Sequence, residues 1–362
     1  MSDSRIVKLF NEIDPKRIVI IKPSALGDVV QTLPLLPVLK KRFPNATIDW
    51  VIRSELAGLI EGHPDLNQVM IYHRKGTLKD SFQLLKQIWK QHYDLTLDLQ
   101  GLFRTGLMTA ASRSRLRIGL ETAREYSQLA CHGLLPETDK QVPAHARYWK
   151  VAEVLGETGP PPAITLGIDP ADRQTVDDLI SEIPQPFFVI HPGAMWVTKR
   201  WPIASFAEIA ARTCKEYGMS LVVVGTAGEQ QDAESICQFV RQKCPHQQVL
   251  NLAGKTSLKQ LALVLHAAEI VLTNDSGPMH LAAGMGTPVV GIFTCTSKER
   301  SGPPGDHHQL IQAQVPCAAS YRKECPMKGS ANMQCMSAVS IFQVWSSMQK
   351  AIQKNHLGNR VA

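Results

Sequence analysis

The sequence predicts an α/β protein made of two Rossmann-like halves, each on a parallel sheet. Three observations lead there. Short runs rich in Val, Ile and Leu alternate with longer amphipathic stretches, as in strand–helix–strand units covered on both faces. The two halves open alike, with VIIKPSA from Val19 to Ala25 and FVIHPGA from Phe188 to Ala194. The chain has 362 residues, 44% of them hydrophobic, which is too long for one ordinary core and apolar enough for two.

In chain order, RIVIIK from Arg17, ATIDWVI from Ala46, QVMIY from Gln68 and DLTLDL from Asp94 read as strands. Their β-branched content and short length favour pleated segments. LKDSFQLLKQIWKQH from Leu78 reads as an amphipathic helix. LGETGPPPAITLGIDP, from Leu155 to Pro170, cannot continue a helix, because two glycines and three successive prolines interrupt it. It divides a first domain, 1–160, from a second, 161–345. The second half repeats the pattern. FFVIHPG, SLVVVG, VLNLAG, EIVLTND and PVVGIF read as strands, and IASFAEIAARTCKEYG and SLKQLALVLHAA as helices. The last helical pattern, SAVSIFQVWSSMQKAIQ, runs into a tail assigned as 346–362.

Lys and Arg total 39 against 32 Asp and Glu, a net charge of +7, which suits anionic partners. Nucleic acid is not expected among them, because aromatics are only 6% and no nucleic-acid motif is present. No apolar run is long enough to span a bilayer, and the N-terminal stretch lacks a signal-peptide core, so a cytoplasmic location is expected. The eight cysteines are scattered, unlike a secreted disulfide framework. Cys317, Cys325 and Cys335 have poor metal-ligand spacing. There is no G-x-x-x-x-G-K-[ST], no H-E-x-x-H and no D-x-D on a loop. Neither a metal nor a cofactor is expected.

Four turns carry chemistry. In LTNDSGPMHLAAGMGTPVVGIF, a strand gives way to Asp275, Ser276 and Gly277, and a helix starts near Pro278. Free amides at such a start attract phosphate, Gly277 permits close approach, and Ser276 and His280 can donate. The same residues also read as an Asp cap, a glycine turn and a core histidine. In HPGAMWVTKRWP, Lys199 and Arg200 precede a helix start. Cations there oppose the helix dipole unless an anion lies between, which makes Lys199 a diphosphate candidate. In VVVGTAGEQQ, Glu229 follows a strand and a glycine turn, where a carboxylate can bind ribose hydroxyls or cap a first turn. In KPSALGDVVQTLP, Asp28 follows the first strand beside Lys22. It reads either as a helix cap, a role Thr32 could share before Pro34, or as a general base facing an interdomain cleft.

Together, KPSALGDVVQTLP, DLQGLFRTGLM, KRWP and NDSGPMHLAAGMGTPVVGIF resemble the bacterial ADP-heptose:lipopolysaccharide heptosyltransferase family, in the right order over roughly the whole chain. The resemblance implies a GT-B architecture, two Rossmann-like domains whose parallel sheets face across a cleft. It implies an inverting, metal-independent glycosyltransferase that moves heptose from ADP-heptose to an anionic glycolipid of the lipopolysaccharide inner core, in peripheral contact with the inner membrane; the alternatives are a GT-B transferase of another nucleotide sugar and a non-catalytic nucleotide-sugar or glycan-binding protein. Asp28 matches the family's base and Lys199 its diphosphate lysine. Asp275, Ser276, Gly277, Met279 and His280 match its nucleotide loop, and Glu229 its ribose-side acid. The acceptor side is expected to draw on Lys22, Ser24, Gly27 and Arg104. There are two departures. Cys317 is followed by Ala318, Ala319 and Ser320 where members often carry C-x-x-C. AMWV lacks a hydroxyl-rich pair, for which Thr198 stands in.

Overall fold

Twelve strands build two six-stranded, all-parallel sheets in the computed structural model, which describes residues 2–358. The first sheet contains β1 (Arg17–Ile21), β2 (Thr47–Arg53), β3 (Gln68–Tyr72), β4 (Leu95–Asp98), β5 (Leu116–Leu120) and β6 (Gly133–Leu135). Its spatial order is β3-β2-β1-β4-β5-β6. The second contains β7 (Phe187–His191), β8 (Ser220–Val223), β9 (Val249–Asn251), β10 (Val271–Asn274), β11 (Val289–Phe293) and β12 (Gln309–Gln312), in the order β12-β11-β10-β7-β8-β9. The topology is the same in both. The first strand of each half has the second on one side and the fourth on the other, so each sheet has a switch point, β1/β4 and β7/β10. In open α/β sheets ligands collect at the carboxyl edge of that point.

The central strands need no polar face. In β1, Ile18 to Ile21 are fully buried, and so is every residue of β7. Three strands, β5, β6 and β12, were not expected from the sequence. β5 reads LRIGL, with Arg117 and Gly119 breaking the apolar run. β6 and β12 are short sheet edges with partly exposed residues, where burial sets no strong pattern.

The chain divides into two compact units between Ile168 and Asp169, after the proline-rich stretch and just before the helix Pro170–Ile180. The final helix, Ile341–Gly358, belongs to the second unit's core, where Val344, Met348, Ala351 and Ile352 pack with Phe206, Ile236 and Leu272. Residues 359–362 of the expected tail lie outside the described residues. Among those described, no helix is long and apolar enough to cross a membrane.

Candidate active site

The first unit places its chemistry at the end of β1. Lys22 and Pro23 leave the strand, and the helix Leu26–Thr32 begins after Ala25. Asp28 sits in its first turn and accepts the Ala25 N–H on Oδ2 at 3.0 Å. The Tyr148 hydroxyl donates to Oδ1 at 2.7 Å. Tyr148 comes from the helix Ala144–Val154, and its oxygen in turn accepts from Lys22 Nζ at 3.0 Å. Lys22 Nζ also lies 3.9 Å from Asp28 Oδ2 and 4.6 Å from the Tyr148 ring centre. The result is a chain of ammonium, phenol and carboxylate. Lys22 and Tyr148 are buried, while a third of the Asp28 side chain, 33%, reaches solvent. Burial lowers the Lys22 ammonium from the ordinary lysine value, with Asp28 pulling back and Arg147 pushing further down. Burial, and then the Asp28 charge, raise the Tyr148 phenol well above its usual value. Tyr148 therefore stays a neutral donor and Asp28 an acceptor. Thr32 does not cap the next helix, Leu35–Arg42. Its hydroxyl back-bonds instead to the Asp28 carbonyl, within its own helix, at 2.7 Å.

Beside this chain lies a cavity of about 170 Å³, lined by Ser24, Gln100, Tyr72, Arg53, Arg74 and Arg104. The Arg104 guanidinium donates to the Tyr72 hydroxyl at 2.7 Å, and the Ser24 N–H to Gln100 Oε1 at 3.3 Å. Arg53 is paired with Glu55 at 3.0 Å, so the excess positive charge at this cavity rests on Arg74 and Arg104 and favours an anionic occupant.

The second unit gathers its groups at β7, β8 and β10. Lys199 Nζ meets Asp275 Oδ2 at 2.6 Å, with both side chains largely shielded from solvent. The anion that the sequence required near Lys199 is therefore Asp275. It sits just before the helix Gly277–Gly284, where Ser276 holds the N-cap position without a capping bond from its side chain. Helix geometry leaves the Gly277 and Met279 amides without an intrahelical partner. Around them runs a hydroxyl–imidazole network. His191 Nδ1 lies 3.2 Å from Thr273 Oγ1 and 3.1 Å from Ser276 Oγ. On its other edge, His191 Nε2 is 3.9 Å from Glu229. Burial lowers the imidazole from its ordinary value, only partly opposed by the Glu229 charge. Glu229 Oε2 also accepts from the Thr226 N–H at 2.8 Å and its hydroxyl at 2.9 Å, so it closes the turn after β8. A Cβ on Gly193 would fall 1.9 Å from Glu229 Oε1, so glycine lets the β7 loop lie directly on this carboxylate.

A lysine paired with a buried acid, beside free helix amides and a neutral imidazole, is suited to holding a phosphate diester or diphosphate. The family model of glycosyltransferase family 9 (heptosyltransferase) matches residues 81–331. The chain belongs to this family. It is a glycosyltransferase. It is 26% identical over 297 residues to the lipopolysaccharide core heptosyltransferase OpsX of Haemophilus influenzae, covering 82% of this chain and 83% of that protein. Among solved structures, a family 9 glycosyltransferase from Veillonella parvula superposes with a TM-score of 0.76 at 23% identity, covering 95% of this chain and 99% of that one. The E. coli heptosyltransferase WaaC with ADP gives a TM-score of 0.70 at 21% identity, covering 94% and 99%. The same enzyme with ADP-2-deoxy-2-fluoro heptose gives 0.68 at 21%, covering 92% and 99%.

In this glycosyltransferase, Lys199, Asp275, Ser276 and Gly277 come together at the second switch point, with Glu229 joined to them through His191. His280 lies half-buried one turn into the same helix. Two expected residues point elsewhere. The Thr198 hydroxyl is committed to the Arg322 and Lys323 carbonyls at 2.8 and 3.2 Å, so it fixes that loop. The Met279 side chain is fully buried, which leaves its backbone amide as the part open to a ligand. In the first unit Lys22 and Asp28 meet, Gly27 lies beside Asp28 in the same turn, and Ser24 and Arg104 line the arginine cavity. Sequence reading missed Tyr148, His191 and Thr273. Tyr148 is 120 positions from Asp28 and carries no local signal. His191 did have one, a polar residue closing a fully buried strand just before Pro192 and Gly193. Among the described residues, no group of three or more His, Cys, Asp or Glu is arranged to hold a metal ion.

Proposed function

We propose that this enzyme transfers a heptose from ADP-heptose to the inner core of lipopolysaccharide by a single inverting displacement that needs no metal, acting as a cytoplasmic enzyme on an acceptor carried by the inner membrane. Asp28 is the general base. It takes the proton from an acceptor hydroxyl as that oxygen forms its bond to the anomeric carbon. The bond from that carbon to the ADP β-phosphate oxygen breaks, and ADP leaves with the electron pair. Attack from the face opposite the leaving group inverts the configuration. Lys199, oriented by Asp275, and the Gly277 and Met279 amides offset the charge growing on ADP. Glu229 is placed to accept ribose hydroxyls. The arginine cavity suits an acidic group of the acceptor.

The observation that carries this reading is the Asp28 carboxylate, held on both oxygens by the Ala25 N–H and the Tyr148 hydroxyl and still partly open to solvent. A base must be both oriented and reachable. The donor assignment draws support from the E. coli relative's complexes with ADP and with ADP-2-deoxy-2-fluoro heptose, and the acceptor assignment from the name of the Haemophilus relative. The test is incubation with ADP-heptose and a deep-rough acceptor in excess EDTA, with the product read by mass spectrometry and its anomeric configuration by NMR. One added heptose with inverted configuration is expected. No product, a retained configuration, or activity that returns only with added Mg²⁺ or Mn²⁺ refutes the proposal.

A further inference from the structure

One face of the first unit is apolar where it should meet water. The connections β3→β4, β4→β5 and β5→β6 all step the same way across the sheet. Right-handed crossover therefore puts them on one face. The helix Leu78–Gln91, the helix Phe103–Ala111 and the turn Ser127–Ala130 pack there in that order. Their outward residues include Leu78 (91% exposed), Phe82 (67%), Trp89 (48%), Phe103 (57%), Tyr126 (77%) and Leu129 (80%). Scattered apolar residues are ordinary on a protein surface, but a contiguous set on adjoining elements is not.

The Leu78–Gln91 helix shows what should cover this face. Its inner side buries Leu84 and Ile88. Leu78, Phe82 and Trp89 form a second apolar row facing out. Lys79, Lys86 and Lys90, all exposed, form a third row roughly a quarter-turn away. The helix has one acid, Asp80, which is bound to Thr77 in the N-terminal cap at 2.7 and 2.9 Å. At the far end, the Arg113 guanidinium lies 4.5 Å over the Trp89 ring. Apolar aromatics flanked by lysines form the surface of a helix that lies in a lipid–water interface, with rings among the acyl chains and ammonium groups at anionic headgroups. Two arginines that line the cavity, Arg74 and Arg104, belong to the segments at the starts of the helices Leu78–Gln91 and Phe103–Ala111.

We propose that this face docks the enzyme on an anionic phospholipid bilayer. The surface deepens the proposed function by saying how a membrane-borne acceptor is met, but lipid binding is measured without turnover. The full chain is sedimented with vesicles of phosphatidylethanolamine and phosphatidylglycerol, and separately with neutral phosphatidylcholine vesicles. Binding to the anionic vesicles alone, weakened by salt, is expected. Replacing Lys79, Lys86 and Lys90 together with Gln should cost roughly a hundredfold in vesicle affinity. Phe82→Ser with Trp89→Ser should cost at least tenfold. Both variants should keep wild-type transfer to a soluble, acyl-free acceptor. A wild-type chain that ignores anionic vesicles, or variants that bind them unchanged, overturns the proposal. So does a dimer that Phe82→Ser dissociates while vesicles go unbound, because the occupant is then a second copy. A wild-type chain that binds vesicles but transfers no heptose refutes the proposed function and supports the docking face.

Discussion

Replacing Tyr148 with Phe removes one oxygen from the middle of the Lys22–Tyr148–Asp28 chain. Asp28 Oδ1 loses a donor at 2.7 Å, and Lys22 Nζ loses an acceptor at 3.0 Å. Asp28 keeps the Ala25 amide on its other oxygen. A hydrogen bond to a charged group is worth about 1.5–3 kcal/mol. A third of the Asp28 side chain is exposed, 33%, so water replaces part of the loss and the lower figure applies. That energy is lost from the ionised carboxylate, because the phenol donates to it. The carboxyl group therefore protonates more readily, and its pKa rises. At about 1.4 kcal/mol per unit, the acid limb of the kcat profile should move up by roughly one pH unit. Above the limb, kcat should fall less than tenfold, and in the acid range by about tenfold more. The phenylalanine ring fills the old volume and keeps the contact with Lys22, so the fold should persist, with stability lowered by about 1.5–3 kcal/mol, the worth of the lost charged hydrogen bonds. The assay is kcat against pH for wild type, Tyr148→Phe, Asp28→Asn and the double variant. In the Asp28→Asn background, Tyr148→Phe should have no further effect on the limb. An unmoved limb in a well-folded Tyr148→Phe protein refutes the reasoning.

Two further perturbations address the donor site. Lys199→Ala should weaken ADP binding roughly ten- to hundredfold, since a charge-assisted phosphate contact is worth about 1.5–3 kcal/mol. Asp275→Asn, which only frees the lysine head, should cost less. Calorimetry showing unchanged ADP affinity in both removes the pair from the site. Gly193→Ala should fold, because its backbone lies outside the left-handed region. The new methyl falls 1.9 Å from Glu229 Oε1 and must push that carboxylate aside. ADP affinity should fall about tenfold, the worth of roughly one hydrogen bond, and an unchanged affinity by calorimetry denies Glu229 a ribose role.

Much of the fold was legible because buried parallel strands are apolar throughout. RIVII and FFVIH are five-residue runs, rich in β-branched or aromatic residues and followed closely by proline, which fits a sheet interior. β5 and the edge strands were not legible, since an arginine, a glycine or a polar edge leaves no periodic signal. In the site, the residues that announced themselves were those whose local backbone demanded them. Asp28 in a first turn, Gly277 at a helix start and Lys199 against a helix dipole are examples. What the sequence left open was pairing. Lys199 meets Asp275 across 76 positions, and Tyr148 reaches Asp28 only because the helix Ala144–Val154 packs on Leu26–Thr32. Thr198 looked like a ligand by type, yet a loop more than 120 positions away claims its hydroxyl. Asp28, read as either cap or base, does make the cap contact, so capping by itself no longer separates the two roles.

Turnover by Asp28→Asn separates them. Asparagine keeps an amide oxygen that can still accept the Ala25 N–H at the start of the helix, so the fold and ADP binding should persist. An amide cannot take a proton from an acceptor hydroxyl. General-base catalysis is typically worth about 10²–10⁴-fold, so kcat for heptose transfer should fall by that order, and the acid limb should vanish. Near-wild-type turnover by a folded, ADP-binding Asp28→Asn enzyme would contradict the account and leave Asp28 as a cap alone.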